Sequence, residues 1–355
     1  MSEYLQIKPF SEIDLNDSFF DGLKIGYTEF SDWYAKKAKQ GATAYVLYTG
    51  GNLIGFMYLK IEEGTVDDTT PHLPPAKRVK IGTLKVEAHG TRLGERFLKK
   101  AIDFALSENA DELYLTVFPK HDDLISLIIE LGFKDIAEKT TMNGTERVLA
   151  KNFTYFPGGT LRQNYPFLQT HGSNKYLLSI YPQWHTKLFP DSILDSESYD
   201  LLTDVSHTNS IRKTYVCKMK DVGILKAGDL AIIYRTKDEK GPGHYRSVVT
   251  SVCIVEELRS KENFTNLDDF VNYTMPYSVF NREELSGWWK EWSRVFVIKM
   301  LYSTAFSKRI IRKTLIEDIG LDSNAYWGFM PVTDEQFLRI MRAGGINERL
   351  IINKA

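Results

Sequence analysis

The chain has 355 residues, with 45 Lys and Arg against 46 Asp and Glu, and is 43% hydrophobic. This length predicts about two domains of ordinary globular composition, and the net charge of −1 argues against a strongly electrostatic nucleic-acid binder. Two cysteines are too few for a disulfide framework or a cysteine-rich metal site. The chain lacks a long apolar run and a signal-peptide pattern at its start, so no membrane span and a cytoplasmic location are expected.

Short strand and helix patterns alternate in the first half of the chain. Alternating or β-branched residues predict strands at 4–9, 43–48, 53–62, 80–86 and 112–118. Apolar residues at helical spacing predict helices near 15–24, 29–39, 94–106 and 122–131. With a further strand after Phe133, the order is β-α-α-β-β-β-α-β-α-β, which indicates a mixed α/β sheet flanked by helices.

The segment from Lys80 to Phe97 combines a strand, a glycine-containing turn and the start of a helix. Gly90 and Gly94 bracket the turn, and glycine lets a ligand approach the backbone closely. The first amides of a helix bind phosphate oxygens, so the segment predicts a site for a pyrophosphate-bearing cofactor. No Gly-Lys-Ser/Thr follows, which argues against a P-loop, and a third glycine for a dinucleotide fold is missing. A plain helix start without a ligand is the alternative.

This segment resembles motif A of the GNAT acetyltransferases, in which a strand-end valine, a Gln or Arg, and glycines precede a helix. The corresponding residues here are Val86, His89, Gly90 and Gly94. The family's middle glycine is replaced by Arg92, whose guanidinium suits phosphate oxygens. The ending Glu-Leu-Gly-Phe at Phe133 resembles the end of the family's next helix. The resemblance covers residues 1–153 and implies a GNAT domain.

The resemblance implies that acetyl-CoA lies between the strands that end at Val86 and Phe118. Backbone groups near Leu84 and Val86 would pair with the pantetheine arm, and the turn amides would hold the pyrophosphate. Those amides belong to Gly90, Thr91, Arg92, Leu93, Gly94 and Glu95. The implied reaction is direct attack of an amine on the thioester, which needs a proton acceptor and a proton donor.

The residues for this proton transfer depart from the family pattern. Ile128 stands where many members have a tyrosine acid, and His121 stands where an asparagine is common. Imidazole titrates near neutral pH, so His121 is either a replacement acid or a surface histidine at a helix start. Tyr114 is a further candidate on the strand, and Glu62 and Glu87 are candidate bases near strand ends.

Residues 154–175 are rich in turn-forming residues and predict a linker before a second domain at 176–355. Strands are predicted at 176–181, 214–218, 229–235, 247–258 and 294–301, and helices near 266–273, 282–290 and 333–342. Many strands with few helices indicate a small β-barrel. Leu178–Pro182 and Leu225–Tyr234 resemble strands of the PUA-like superfamily, which includes ASCH and EVE domains.

PUA-like barrels bind RNA or a modified base, which needs an aromatic platform and polar contacts. Tyr181, Trp184 and Lys213 are the candidates, while Trp288 and Trp292 share a helix face and either join such a site or pack in the core. The chain is thus expected to be an acetyl-CoA-dependent N-acetyltransferase whose second domain recruits an RNA or nucleobase-bearing substrate. The alternatives are a non-catalytic acyl-CoA-sensing reader of modified nucleic acid, or an acetyltransferase acting on a protein or small amine.

Overall fold

The computed structural model describes residues 5–87, 93–189, 210–239 and 241–352. The chain divides into two compact units, Met1–Phe156 and Pro157–Ala355. In the described parts of the chain, no helix is long and apolar enough to cross a membrane.

A seven-stranded mixed sheet forms the centre of the N-terminal unit. Its strands are β1 Gln6–Pro9, β2 Thr43–Thr49, β3 Asn52–Val66, β4 Leu73–Val86, β5 Glu112–Val117, β6 Lys134–Thr141 and β7 Gly144–Asn152. The helices are α1 Asp21–Gly26, α2 Phe30–Lys39, α3 Leu93–Ser107 and α4 Asp122–Glu130. The strand order is β1-β2-β3-β4-β5-β7-β6, in which β4 and β5 are parallel. The mixed α/β fold is therefore as predicted, and the structure adds β7 between β5 and β6.

The two faces of this sheet are covered by different helices. Phe56 and Tyr58 of β3 pack in one aromatic cluster with Tyr34 of α2. On the other face Phe97 of α3 lies so close to Gly55 that a Cβ there would be 2.5 Å from the ring. Successive side chains of a strand point to opposite faces. From Gly55 to Glu63 of β3, even-numbered residues therefore face α1 and α2, and odd-numbered residues face α3.

The second unit is built on a six-stranded sheet. The short strand β8 Leu168–Gln169 precedes this sheet in the chain. The six strands of the sheet are β9 Lys175–Ile180, β10 Arg212–Cys217, β11 Leu230–Arg235, β12 Val248–Ser260, β13 Phe296–Ile311 and β14 Phe329–Pro331. The helices are α5 Pro182–Leu188, α6 Gly243–Arg246, α7 Leu267–Thr274, α8 Arg282–Glu291, α9 Arg312–Glu317 and α10 Asp334–Ala343. The strand order is β10-β13-β12-β11-β9-β14, and β15 Ile351–Ile352 pairs with β8 in a separate small sheet.

The long strands β12 and β13 pair with several register shifts, which bend a sheet strongly. Among the described residues no pairing joins β10 to β14 at the two ends of the order, so closure into a barrel stays a prediction. The helix α8 packs its tryptophans against the core, and the rings of Trp288 and Trp292 stack at 4.8 Å. Core packing is thus the observed role of this pair.

Candidate active site

A cleft opens where the two parallel strands β4 and β5 separate. They pair only from Arg78 opposite Glu112 to Ile81 opposite Leu115. Beyond this point β4 stays paired with β3, and β5 stays paired with β7. Ligands commonly bind beyond the carboxyl ends of parallel strands, and this cleft lies at such a position.

A β-bulge at Gly82 coincides with the separation. In the pairing of β3 with β4, Tyr58 lies opposite Thr83 and Leu59 lies opposite Ile81, so Gly82 is the extra residue. A Cβ on Gly82 would be only 2.9 Å from the ring of Tyr58. A bulge bends its strand and increases the twist. The bulge is therefore the local cause that turns β4 away from β5.

The edge of β4 that faces the cleft carries unused backbone groups. The N–H of Glu87 donates to the carbonyl of Ile54 at 2.8 Å. This bond shows that the backbone groups of Glu87 point toward β3. In an antiparallel pair, alternate residues direct both backbone groups to the partner strand. Lys85 shares the direction of Glu87, and the groups of Leu84 and Val86 point into the cleft. An extended ligand with amide groups can add there as a strand would.

The helix α3 is described from Leu93 onward, next to the predicted start at Gly94. Gly94 is thus one of the first described residues of this helix, and the first amides of a helix are the ones that bind phosphate oxygens. Among the described residues, a Cβ on Gly94 would meet Leu127 at an ordinary 3.6 Å. The side chains of Leu93 and Glu95 are buried. The predicted cofactor residues Gly90, Thr91 and Arg92, with His89, lie outside the described residues.

A polar pair lies on the sheet face that carries α1 and α2. The hydroxyl of Tyr114 donates to Glu62 Oε2, and Glu62 Oε1 forms an ion pair with Lys60. Burial and then the Glu62 carboxylate raise the pKa of Tyr114. Burial alone would raise the pKa of Glu62, but the bonds from Lys60 and Tyr114 outweigh it and hold that pKa below its usual value. At neutral pH the pair is therefore a phenol and a carboxylate.

A rim of polar contacts joins the loop between α1 and α2 to the β6–β7 hairpin. The Tyr27 hydroxyl donates to Glu146 at 2.8 Å, and its ring lies 5.4 Å from that of Phe118. The amide of Asn143 donates to both oxygens of Glu29 at 3.0 and 2.8 Å. Sequence reasoning missed this rim because it depends on contacts between residues more than a hundred positions apart in the chain.

Among the described contacts, neither Glu87 nor His121 bonds to the Tyr114–Glu62 pair. Glu87 is exposed and forms an ion pair with Lys85 at 2.7 Å. His121 is exposed at the start of α4, where desolvation and Lys120 lower its pKa. Ile128 is fully buried. Of the candidate acids and bases, the structure brings Glu62 and Tyr114 into direct contact, whereas the roles of His121 and Glu87 stay predictions.

The three candidate base-binding residues of the second unit occupy different environments. Tyr181 is 65% exposed, whereas Lys213 is buried with its Nζ 5.4 Å from the centre of the Tyr302 ring. Trp184 packs edge-on against Phe280 at 5.0 Å. A shared platform formed by the three side chains stays a prediction.

Comparison with known proteins identifies the N-terminal unit. Residues 8–133 match the model of the Acetyltransferase (GNAT) family. A search of curated proteins gives no match. The chain resembles the ASCH protein of Zymomonas mobilis at 7% identity, over 47% of this chain and 94% of that one, with a TM-score of 0.34.

Two solved acetyltransferases resemble the chain over less than half its length. Naa50 of Arabidopsis thaliana, in complex with a CoA-containing bisubstrate analogue, is 21% identical over 42% of this chain and 98% of that one, with a TM-score of 0.29. A GNAT family acetyltransferase of Elizabethkingia anophelis with acetyl-CoA bound is 14% identical over 42% and 97%, with a TM-score of 0.31. The family match alone shows that residues 8–133 form a GNAT acetyltransferase domain, a kind of domain whose cofactor is acetyl-CoA.

Proposed function

We propose that the N-terminal unit transfers the acetyl group of acetyl-CoA to the nitrogen of an amine. The observation that carries this proposal is the separation of β4 from β5 at Gly82, which leaves the backbone of Leu84 and Val86 facing the cleft. The GNAT match of residues 8–133 supports it.

Leu84 and Val86 would hold the pantetheine arm through their backbone groups, and the amides from Gly90 to Glu95 would hold the pyrophosphate at the start of α3. Acetyl-CoA supplies the thioester: an N–C bond forms, the C–S bond breaks, the amine loses one proton and the departing sulfur gains one. The open strand edge fits the amide groups of the pantetheine arm.

Glu62 is the proposed acceptor of the amine proton. It lies on the face opposite α3, and its lowered pKa keeps it ionised at neutral pH. Tyr114 donates to Glu62 Oε2 and so holds the carboxylate in place, which makes it a positioning residue. His121 stays the proposed donor to the departing sulfur because it begins α4, the element that follows β5.

Calorimetric titration with acetyl-CoA tests the cofactor site. In Leu84→Pro the N–H facing the cleft is lost while the bonds to β3 are kept, and we expect acetyl-CoA affinity to fall ~10-fold or more with an unchanged circular dichroism spectrum. Gly94→Glu places a carboxylate at the start of α3 and should weaken binding as well. A folded wild-type protein that does not bind acetyl-CoA would refute the proposal.

Release of free thiol with a panel of amines tests the chemistry. Glu62→Gln should lower kcat ~100-fold because the proton acceptor is removed. Glu63→Gln is the matched control, since Glu63 is exposed and its side chain lies on the other face of β3. Tyr114→Phe should lower kcat less than Glu62→Gln and shift the acidic limb of the pH–rate profile to higher pH, because Glu62 loses a hydrogen bond that lowers its pKa. Equal rates for Glu62→Gln and Glu63→Gln would exclude Glu62 as the proton acceptor.

We also propose that the second unit recruits a nucleobase-bearing substrate through Tyr181. Its ring is 65% exposed, as a stacking surface for a base requires. Tyr181→Ala should weaken the binding of a short single-stranded RNA, measured by fluorescence anisotropy, while acetyl-CoA binding is unchanged. Equal RNA binding by the variant, or no RNA binding by the wild type, would refute this role and favour a protein or small-amine acceptor.

A further inference from the structure

Two lysines lie directly opposite each other on the sheet face of the Tyr114–Glu62 pair. Lys60 of β3 is the cross-strand partner of Lys80 of β4. Like charges in this position destabilise a sheet. A third lysine, Lys139 of β6, interacts electrostatically with Lys80. Such a repulsive arrangement on an otherwise well-packed sheet is typical of a functional site rather than of a structural one.

Two of the three lysines form ion pairs with neighbouring carboxylates. Lys60 pairs with Glu62, and Lys139 pairs with Asp68. Lys80 is half-buried, and its Nζ lies 5.1 Å from the centre of the Tyr114 ring. Within the described residues no carboxylate lies within 4.0 Å of Lys80 Nζ. Of the three lysines, Lys80 is therefore the one without a carboxylate partner among the described residues.

Lys80 also lies at the base of the cleft. It is paired with Tyr114, and the next pair, Ile81 with Leu115, is the last one before β4 and β5 separate. Its side chain lies on the face of α1 and α2, opposite the face of α3. A molecule that reaches the cleft from this side therefore contacts Lys80 and Glu62 together.

We propose that Lys80 binds an anionic group, a carboxylate or a phosphate, on the acceptor, so that the enzyme acetylates acidic amines. This inference rests on the proposed acetyl transfer and names the class of acceptor. An anion at Lys80 would pair with its ammonium group in a partly desolvated place, where such a pair is stronger than in water. The lysines would also favour the uncharged form of the attacking amine, since a nearby cation lowers the pKa of an amine.

Matched amines test the inference by thiol release. β-Alanine and β-alaninamide differ in a carboxylate, and O-phosphoethanolamine and ethanolamine differ in a phosphate, so the two pairs distinguish the two anions. We expect kcat/KM to be ~10-fold or more higher for the acidic member of at least one pair. Lys80→Met should remove this preference mainly through KM, and Lys80→Arg should keep part of it. Lys39→Met, at an exposed position of α2, makes the same change in net charge and should retain the preference.

A binding measurement separates failure of this inference from failure of the proposed function. The acetylated products of both amine pairs are titrated calorimetrically into the intact protein saturated with CoA. They are N-acetyl-β-alanine and N-acetyl-β-alaninamide, and the N-acetylated forms of O-phosphoethanolamine and ethanolamine. Tighter binding of an acidic product than of its neutral partner, with the difference lost in Lys80→Met, supports the anion site. This holds even if none of the amines releases thiol, in which case only the proposed acetyl transfer fails. Equal turnover of acidic and neutral amines overturns the inference and leaves acetyl transfer standing. Equal binding of the acidic and neutral products also overturns the inference, and thiol release then decides separately whether acetyl transfer stands.

Discussion

Lys151 of β7 gives the sharpest test of how the sheet is joined to α4. The side chain is only 2% exposed, and its Nζ donates to the carbonyl of Leu131, at the end of α4, at 2.7 Å. Burial lowers the pKa of Lys151 from 10.5 to about 7. The perturbation is Lys151→Met, which keeps a long side chain and removes the titrating group.

The magnitude follows from the two pKa values. Between about pH 7 and 10.5 the unfolded chain binds more protons at this lysine than the folded protein does, so the free energy of unfolding rises with pH. The contribution of Lys151 between pH 7 and pH 9 is a gain of ~2 kcal/mol in the wild type. Lys151→Met should lack this gain, so the difference in stability between variant and wild type should change by the same amount.

The assay is urea denaturation at pH 7, 8 and 9, followed by circular dichroism. The transition of the N-terminal unit is the one that acetyl-CoA shifts to higher urea, since a ligand stabilises the unit that binds it. Lys39→Met serves as the control and should retain the wild-type dependence on pH. If Lys151→Met and wild type show the same dependence, the amine is not titrating in the buried position, and the reasoning from its burial is wrong.

Two further predictions concern packing and acid stability. Gly55→Ala should destabilise the N-terminal unit by ~1–3 kcal/mol in urea denaturation, because the new Cβ would overlap the Phe97 ring. Gly26→Ala is the control and should not destabilise the unit, because the space around Gly26 is open. Equal effects of the two substitutions would contradict this packing. Burial, with Arg235 and Arg309, lowers the pKa of His185 to about 3, so the unfolded chain binds more protons between that value and about 6.5. The free energy of unfolding of the second unit should therefore fall by ~2 kcal/mol between pH 7 and pH 5. This fall should be smaller in His185→Gln, measured in the urea transition that acetyl-CoA does not shift. An equal fall in the variant and the wild type would refute this role of His185.

The sequence predicted well those features that depend on neighbouring residues. The strand–turn–helix pattern around Val86 and Gly94 located the end of β4 and the start of α3, because strand and helix periodicities differ clearly there. The motif resemblance also pointed to Leu84 and Val86, whose backbone groups do face the cleft. Strand β7 was not predicted separately, since a hairpin of two polar strands leaves little apolar contrast in the sequence.

Features that depend on register could not be predicted in the same way. Tyr114 and Glu62 are 52 positions apart, and their hydrogen bond depends on the pairing of β3 with β4 and of β4 with β5. The opposition of Lys60 and Lys80 has the same origin. Local propensity reports whether a segment is a strand, but it does not say which residue lies opposite which.

The extra residue at Gly82 connects these observations. If β4 alternated without interruption, Lys80, Leu84 and Val86 would all direct their side chains to one face of the sheet. Because Gly82 is unpaired, Lys80 lies opposite Lys60 on the face of α1 and α2, while Leu84 and Val86 lie opposite Met57 and Gly55 on the face of α3. The bulge thus gives the two ends of one strand different surroundings. The residue that separates β4 from β5 for the proposed cofactor also places Lys80 where the proposed acceptor would enter.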